Sequence, residues 1–360
     1  MTLRQHPDLA VTPLPIKSIG AGGIVKHAHL PAYAMCGWQV VSVFDIDKQR
    51  ATVLAKEHGI EHVAETVEEI VKTGPQDCVY DLAVPAKATA AVLRQLPDEA
   101  LVLMQKPMGE DFTQAQEIHE VCLTKRLRAA VNFQLRSAPY SLAARDALSQ
   151  GLLGDLVEVD IKVHVHTPWA IWSFLELSPR MEIVYHSIHY LDLIRALLGE
   201  PQWVKATTHK HPASPKLHSS RSAVLMDFGT SAEGNQVRAQ VVTYHAHDYG
   251  LKHQTSRIAL EGTKGAVHFQ MGLNMDYPTG APDWLEINTG EGWQNIPLEG
   301  SWFPHAFRGP MAAMMRWAAD PSAKPDTHFE DAFRTMALVE AAYEDAATPG
   351  VDPRRYWPRP

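Results

Sequence analysis

At 360 residues the chain is too long for one compact core and long enough for two. Its composition, 45% hydrophobic and 21% charged, excludes a disordered, collagenous or coiled-coil chain, and a net charge of −8 argues against a non-specific nucleic-acid binder, which would carry a basic excess. Cys36, Cys78 and Cys122 show no CxxC spacing, and no apolar run nears the ~20 residues of a membrane span, so a soluble, cytoplasmic protein without a disulfide framework or thiolate zinc site is expected.

The first third alternates short apolar strands with helical patterns. Strands are expected at residues 16–20, 39–45, 78–83, 100–104 and 128–132, with helices at 48–58, 66–72, 86–96 and 113–125 between them. Strands alternating with helices imply right-handed βαβ crossovers and an α/β, doubly wound parallel sheet. After residue 150 the pattern changes. Val157, Val159, Ile161, Val163 and Val165 alternate with Glu158, Asp160, Lys162, His164 and His166, a period of two that marks a strand with one buried face. Further strands near 204–210, 222–228, 236–246, 256–261 and 266–270 suggest an open, mostly antiparallel sheet of an α+β domain, with 185–198 as its main helix. Helices return at 307–319 and 331–347, segments 209–221 and 274–282 read as surface loops, and the Arg/Pro-rich end 354–360 reads as frayed or as an interface arm. Two domains follow, 1–135 and 136–360, with the last helices free to pack back on the first.

Gly20, Gly22, Gly23 and Ile24 follow the first strand and open the first helix. Gly20 permits a tight turn, Gly22 admits a pyrophosphate to the backbone, and the helix N-terminus offers it unpaired N–H groups. Val25 stands where a third glycine or alanine is usual. Asp45, at the end of the second strand, is placed to bond the adenosine ribose hydroxyls or to cap the next helix. A carboxylate there repels a 2′-phosphate and favours NAD over NADP, although Lys48 and Arg50 lie close by.

Gln105-Lys106-Pro107 ends the strand at 100–104. Together with the glycine turn it resembles the glucose–fructose oxidoreductase / inositol dehydrogenase (Gfo/Idh/MocA) family, whose motif there is Glu-Lys-Pro. Val84-Pro85, Arg136 with Pro139, His189-Tyr-Leu-Asp192 followed by Leu198-Gly199-Glu200-Pro201, Leu260 to Gly265, and Val339 to Tyr343 match further family segments in order. The resemblance implies an N-terminal Rossmann domain, a C-terminal substrate-binding and oligomerisation sheet, and NAD(P)-dependent oxidation of a CH–OH group. Gln105, Val84 and Pro85 join the glycine turn and Asp45 on the cofactor side. Three departures stand out: Gln105 replaces the glutamate, Thr89 stands where many members have a histidine, and Tyr185 occupies the aspartate position of the family's Asp-x-Gly-x-His pattern.

Alcohol oxidation needs a proton acceptor and a cation near the developing alkoxide. The resemblance assigns Lys106 a catalytic role and often makes its peptide to Pro107 cis. His189 matches the family's catalytic histidine and is the candidate general base. Helical spacing puts Tyr185, His189 and Asp192 on one face, with Tyr185 as a hydroxyl relay or a pocket wall and Asp192 as an orienting group or a local cap. Trp169, Trp172, His186, Gln134 and Arg136 are candidate substrate contacts; indole faces stack on sugar C–H faces. The nineteen histidines include the HxH pairs 164/166, 209/211 and 245/247, but none of these shows a third ligand at metal-site spacing. They are expected to be solvated or to lie on the sheet face where the family pairs as homodimers or homotetramers, and no metal is expected. The reading is a NAD-dependent dehydrogenase of a sugar, polyol, cyclitol or sugar acid. A redox-assisted glycosidase of the same fold and a non-catalytic NAD- or sugar-sensing protein are the alternatives, and no nucleic-acid or membrane partner is expected.

Overall fold

The computed structural model describes residues 1–357, the side chain of Ser173 excepted; residues 358–360 of the Arg/Pro-rich end lie outside the described residues. Six strands form the first sheet: β1 (Ile16–Ile19), β2 (Val40–Phe44), β3 (His62–Val63), β4 (Val79–Leu82), β5 (Leu101–Met104) and β6 (Arg128–Val131). Their order is β3-β2-β1-β4-β5-β6, and every pairing is parallel. This is the Rossmann arrangement. The chain winds one way from β1 to β3 and the other way from β4 to β6, so a crevice opens beyond the carboxyl ends of β1 and β4. The glycine turn, Val84-Pro85 and Gln105-Lys106 all sit at those carboxyl ends.

The second sheet comprises β7 (Leu156–His164), β8 (Trp203–His209), β9 (Arg221–Thr230), β10 (Gln236–Tyr244), β11 (Thr255–Gly262), β12 (Ala266–Gln270), β13 (Trp284–Asn288) and β14 (Trp293–Asn295). Its order is β14-β13-β12-β11-β7-β10-β9-β8, antiparallel except where β7 runs parallel to β10. The alternation in β7 resolves as expected: Val159, Ile161 and Val163 are buried, while Glu158 and Asp160 bond Arg238 and Gln240 of β10 on the open face. β3, β13 and β14 are absent from the sequence reading because they are short and carry little periodic signal. Among the described residues no helix is long and apolar enough to cross a membrane.

The helix Ile188–Leu198 presses Ile188, Leu191 and Ile194 into the same core as the buried side of the second sheet. The helix Arg308–Ala319 follows that sheet in the chain, yet Met311, Met314, Met315 and Trp317 bury against Ile16, Val43 and Leu103 of the first. The helix Phe329–Ala346 touches the helix Phe112–Thr124 of the first half and β8 of the second. The segment between β8 and β9 is not wholly a surface loop: Leu217 is buried with Leu175 and Met181.

Candidate active site

β1 runs into Gly20, whose φ of +114° lies in the region that side chains avoid; a Cβ there would stand 2.8 Å from the Ala83 carbonyl carbon and closer still to its oxygen. Gly22 has no atom within 4 Å of where its Cβ would be, so its backbone is open to an incoming group. Gly23 and Ile24 follow, and the helical segment begins as a π turn over Val25–His29. Val25, at the third fingerprint position, is fully buried and packs in the core rather than facing the turn.

The Asp45 carboxylate ties this turn to the end of β2, with Oδ2 accepting from Ala21 N and Oδ1 from Asp47 N, each at 2.8 Å. The cap on the helix Lys48–His58 is Asp47, which accepts from Arg50 N, so Asp45 is not the cap. A groove of about 300 Å³ beside it is lined by Ala21, Lys26, Asp47, Gln49, Arg50 and Val53, among others. Arg50 faces Asp47 at 3.1 Å and Asp45 at 3.6 Å, and Lys48 pairs with Glu65. The open Gly22, the helix start and this groove, lined by both acidic and basic side chains with Asp45 beside it, together fit the pyrophosphate and adenosine portions of NAD.

Gln105 is locked by its neighbours. Its Oε1 accepts from Lys106 N at 2.8 Å, so its amide nitrogen faces His29 Nε2 at 3.2 Å as the donor. His29 Nε2 therefore accepts, and Nδ1 carries the proton donated to Asp81 Oδ2 at 2.8 Å. Tyr33 donates to the same carboxylate oxygen. The departure from glutamate thus puts a neutral amide at the end of β5. Val84 is half-buried and Pro85 exposed at the end of β4, at the mouth of the crevice.

Lys106 precedes a cis proline, and its Nζ donates to the Tyr185 carbonyl at 2.7 Å. Burial pushes its ammonium down to about 8. The Tyr185 hydroxyl turns away and donates to Glu110 Oε1 at 2.7 Å, while burial and that carboxylate raise it far above the usual phenol range. His189 is buried edge-on to Trp302, with ring centroids 5.3 Å apart, and among the described residues its Nδ1 has no hydrogen-bond partner. Burial, then the charge of Lys106 and the nearby His186, hold His189 well below the ordinary imidazole range. A histidine so placed, with no carboxylate on Nδ1, is a weak proton acceptor.

The expected polar face of Tyr185, His189 and Asp192 is not one cluster. The turn Ile183–Ser187 is π-helical, so the 100° phase per residue does not extend back to Tyr185. Asp192 instead takes a two-pronged bond from Arg136 at 2.7 and 2.6 Å, and Thr335 donates to it as well. Arg136 also reaches Asp331 at 2.9 Å and the Asp326 carbonyl at 3.0 Å. With its donors committed to these partners, Arg136 is a buried cross-brace and has little left for a substrate. Gln134 is buried, with Oε1 unpartnered among the described residues.

Trp169 and Trp172 are half-buried and edge-on to each other. With Leu175, Met181, Leu217 and Tyr185 they form a small apolar cluster, and Trp172 also meets Tyr277. Trp169 lies edge-on to His245, at 4.9 Å between centroids. His186 stands beside Glu182 and His245, where burial and the neighbouring His245 push it down to about 4. Glu110 and Glu182 escaped the sequence reading. Glu182 lies four residues before His186, a helical ExxxH spacing that could have been seen; Glu110 carries no such signal.

Two family models match the chain. One, described as the oxidoreductase family, NAD-binding Rossmann fold, covers residues 16–133, and the other, the GFO/IDH/MocA C-terminal domain, covers 141–268. A 1,5-anhydro-D-fructose reductase of Ensifer adhaerens is 22% identical over 335 residues, 92% of this chain and 95% of that protein. The trans-1,2-dihydrobenzene-1,2-diol dehydrogenase of Bos taurus is 33% identical over 184 residues, 48% of this chain and 52% of that one. An oxidoreductase of Agrobacterium radiobacter, solved with NAD+, L-tartaric acid and magnesium, superposes with a TM-score of 0.73 at 22% identity, covering 93% of this chain and 97% of the other; this likeness shows the fold.

Proposed function

The chain belongs to the GFO/IDH/MocA family of NAD-binding oxidoreductases, and from that premise we propose that it moves a hydride between nicotinamide and a hydroxyl-bearing carbon of a sugar, polyol, cyclitol or sugar acid. The observation that carries this reading is the placement of Lys106. It stands at the carboxyl end of β5 over the crevice, with an ammonium lowered to about 8 and the neutral ring of His189 near it. A group titrating near the operating pH is the most effective proton carrier. Bound nicotinamide supplies the hydride acceptor or donor.

In the oxidative direction Lys106, as the neutral amine, accepts the hydroxyl proton, and as the ammonium returns it in reduction. The proton-acceptor role expected of His189 passes to Lys106 because nothing on His189 Nδ1 stabilises an imidazolium. His189 serves as a neutral hydrogen-bond partner for the substrate oxygen, and Tyr185 holds Lys106 through its main-chain carbonyl. Trp169 and Trp172 offer apolar faces for the C–H side of a ring. Asp45 at the mouth of the adenosine groove favours NAD over NADP, since a 2′-phosphate would meet its carboxylate. The relatives named as a sugar-derivative reductase and a diol dehydrogenase support a CH–OH chemistry.

The test incubates the protein with NAD and a panel of sugars, polyols, sugar acids and glycosides, following NADH absorbance beside product chromatography. Sustained NADH formation that falls by about 10²–10⁴-fold in Lys106→Met, with NAD binding retained, is the expected result. Glycoside cleavage without net NADH, or ligand binding without turnover, overturns it.

A further inference from the structure

We propose that Glu182, His186 and His245 bind one divalent transition-metal ion of the zinc class in the wall of the cleft beside Lys106. The three side chains come from two places: Glu182 and His186 lie one turn apart at the start of the helical segment, and His245 follows the end of β10. One ligand atom from each lies within 4.8 Å of the others. Glu182 Oε1 stands 3.3 Å from His186 Nδ1 and 3.3 Å from His245 Nε2. Ligands held at zinc–nitrogen and zinc–oxygen bond lengths of about 2.0–2.1 Å in a tetrahedron are about 3.3–3.4 Å apart, so the spacing suits a shared ion. The two imidazoles stand perpendicular with centroids 4.4 Å apart, which lets both aim ring nitrogens at one point.

The surroundings support a cation. Glu182 is completely buried, and its other partners are the hydroxyls of Ser187, at 2.9 Å, and Ser222. Among the described residues no lysine or arginine pairs with it, whereas buried carboxylates are ordinarily paired or bound to metal. His186 Nδ1 is buried without an aligned hydrogen bond, leaving its lone pair unused. Thr167 Oγ1 holds His245 Nδ1 at 2.8 Å, which turns Nε2 toward the carboxylate, as the outer hydrogen bonds of metal-binding histidines do. Two imidazoles and one carboxylate select zinc-class ions over magnesium or calcium, and three protein ligands leave a fourth position for water or a substrate oxygen. His186 is the most exposed of the three, so access to that position runs along its side.

The site does not depend on the dehydrogenase reading, and its test needs no turnover. The full-length protein is stripped with EDTA, dialysed and titrated with Co²⁺, then with Zn²⁺. The expected result is saturation at one equivalent with the visible d–d bands of a low-coordinate cobalt site, displacement of those bands by one equivalent of Zn²⁺, and a rise in Tm on metal binding. Glu182→Gln, which keeps the shape, and His186→Ala, the least buried of the three, should each abolish the bands while melting cooperatively; His58→Ala, an exposed histidine at the end of the helix Lys48–His58, should leave them intact. If Glu182→Gln fails to fold, His186→Ala decides alone. The proposal is overturned if the wild type takes up no stoichiometric metal, if the bands survive His186→Ala, or if His58→Ala abolishes them. Nitrogen-15 shifts showing an imidazolium on His186 or His245 in the presence of one equivalent of Zn²⁺ would equally overturn it, because the pocket would then be a buried ion pair.

Discussion

In the proposed reaction Lys106 and His189 exchange the roles that their residue types suggest. A lysine is ordinarily a cation at neutral pH and a histidine the base, but burial lowers both, and only the lysine arrives near the working range. The pH dependence follows from that order. In the oxidative direction the active form of Lys106 is the neutral amine, so kcat/KM rises with pH and levels off above about 8. Protonation of His189, held well below 6.5, falls outside the neutral range and adds no second inflection there. A kcat/KM profile that is flat from neutrality to pH 9, or that bends near the ordinary histidine value, would refute this assignment. Tyr185 illustrates why the residue scale resists prediction. Its position was legible as the family's aspartate site, but its hydroxyl goes to Glu110, a contact across 75 residues that no spacing rule reveals.

At the scale of elements, the glycine turn was readable because its geometry is local. Strand, Gly20, and helix follow within ten residues, and the left-handed φ is a property of Gly20 alone. Gly20→Ala meets both that φ and the Ala83 carbonyl, so its backbone must shift. The expected outcome is a lower Tm and loss of the thermal shift that NAD produces in the wild type, measured by melting with and without the cofactor. An alanine variant that melts and responds like the wild type would show that the turn tolerates a side chain. The helix around residues 183–198 was readable in existence but not in phase. Its π-helical start rotates Tyr185 and His186 relative to His189, and one-residue register is what a periodicity argument cannot supply.

Across the whole molecule, the two sheets are braced by buried charge. Arg136 follows β6 at the exit from the first sheet, Asp192 lies on the helix against the second, and Asp331 belongs to the helix Phe329–Ala346 that touches both halves. Arg195 adds bonds to Glu200, Asp331 and Thr335. Arg136→Ala leaves the buried Asp192 without its main partner, for an expected loss of about 3–5 kcal/mol at neutral pH, seen as a lower urea midpoint. A change under about 1 kcal/mol would mean that Thr335 and water suffice to satisfy the carboxylate.

Composition, alternation and motif order were enough to determine a parallel nucleotide-binding sheet followed by a mostly antiparallel one, the glycine turn after β1, and Lys106 at the crevice. Each of these rests on residues near one another in the chain, where period two, period 3.6 and glycine geometry act directly. Tertiary structure alone decided that Asp192 serves Arg136, that His189 lacks a carboxylate, and that the helix Arg308–Ala319 belongs to the first core. It also decided that Glu182 and His186 meet His245 across some sixty residues of chain. Burial and charge pairing at those points depend on which elements the fold lays side by side, and a buried polar group takes whichever partner that packing delivers.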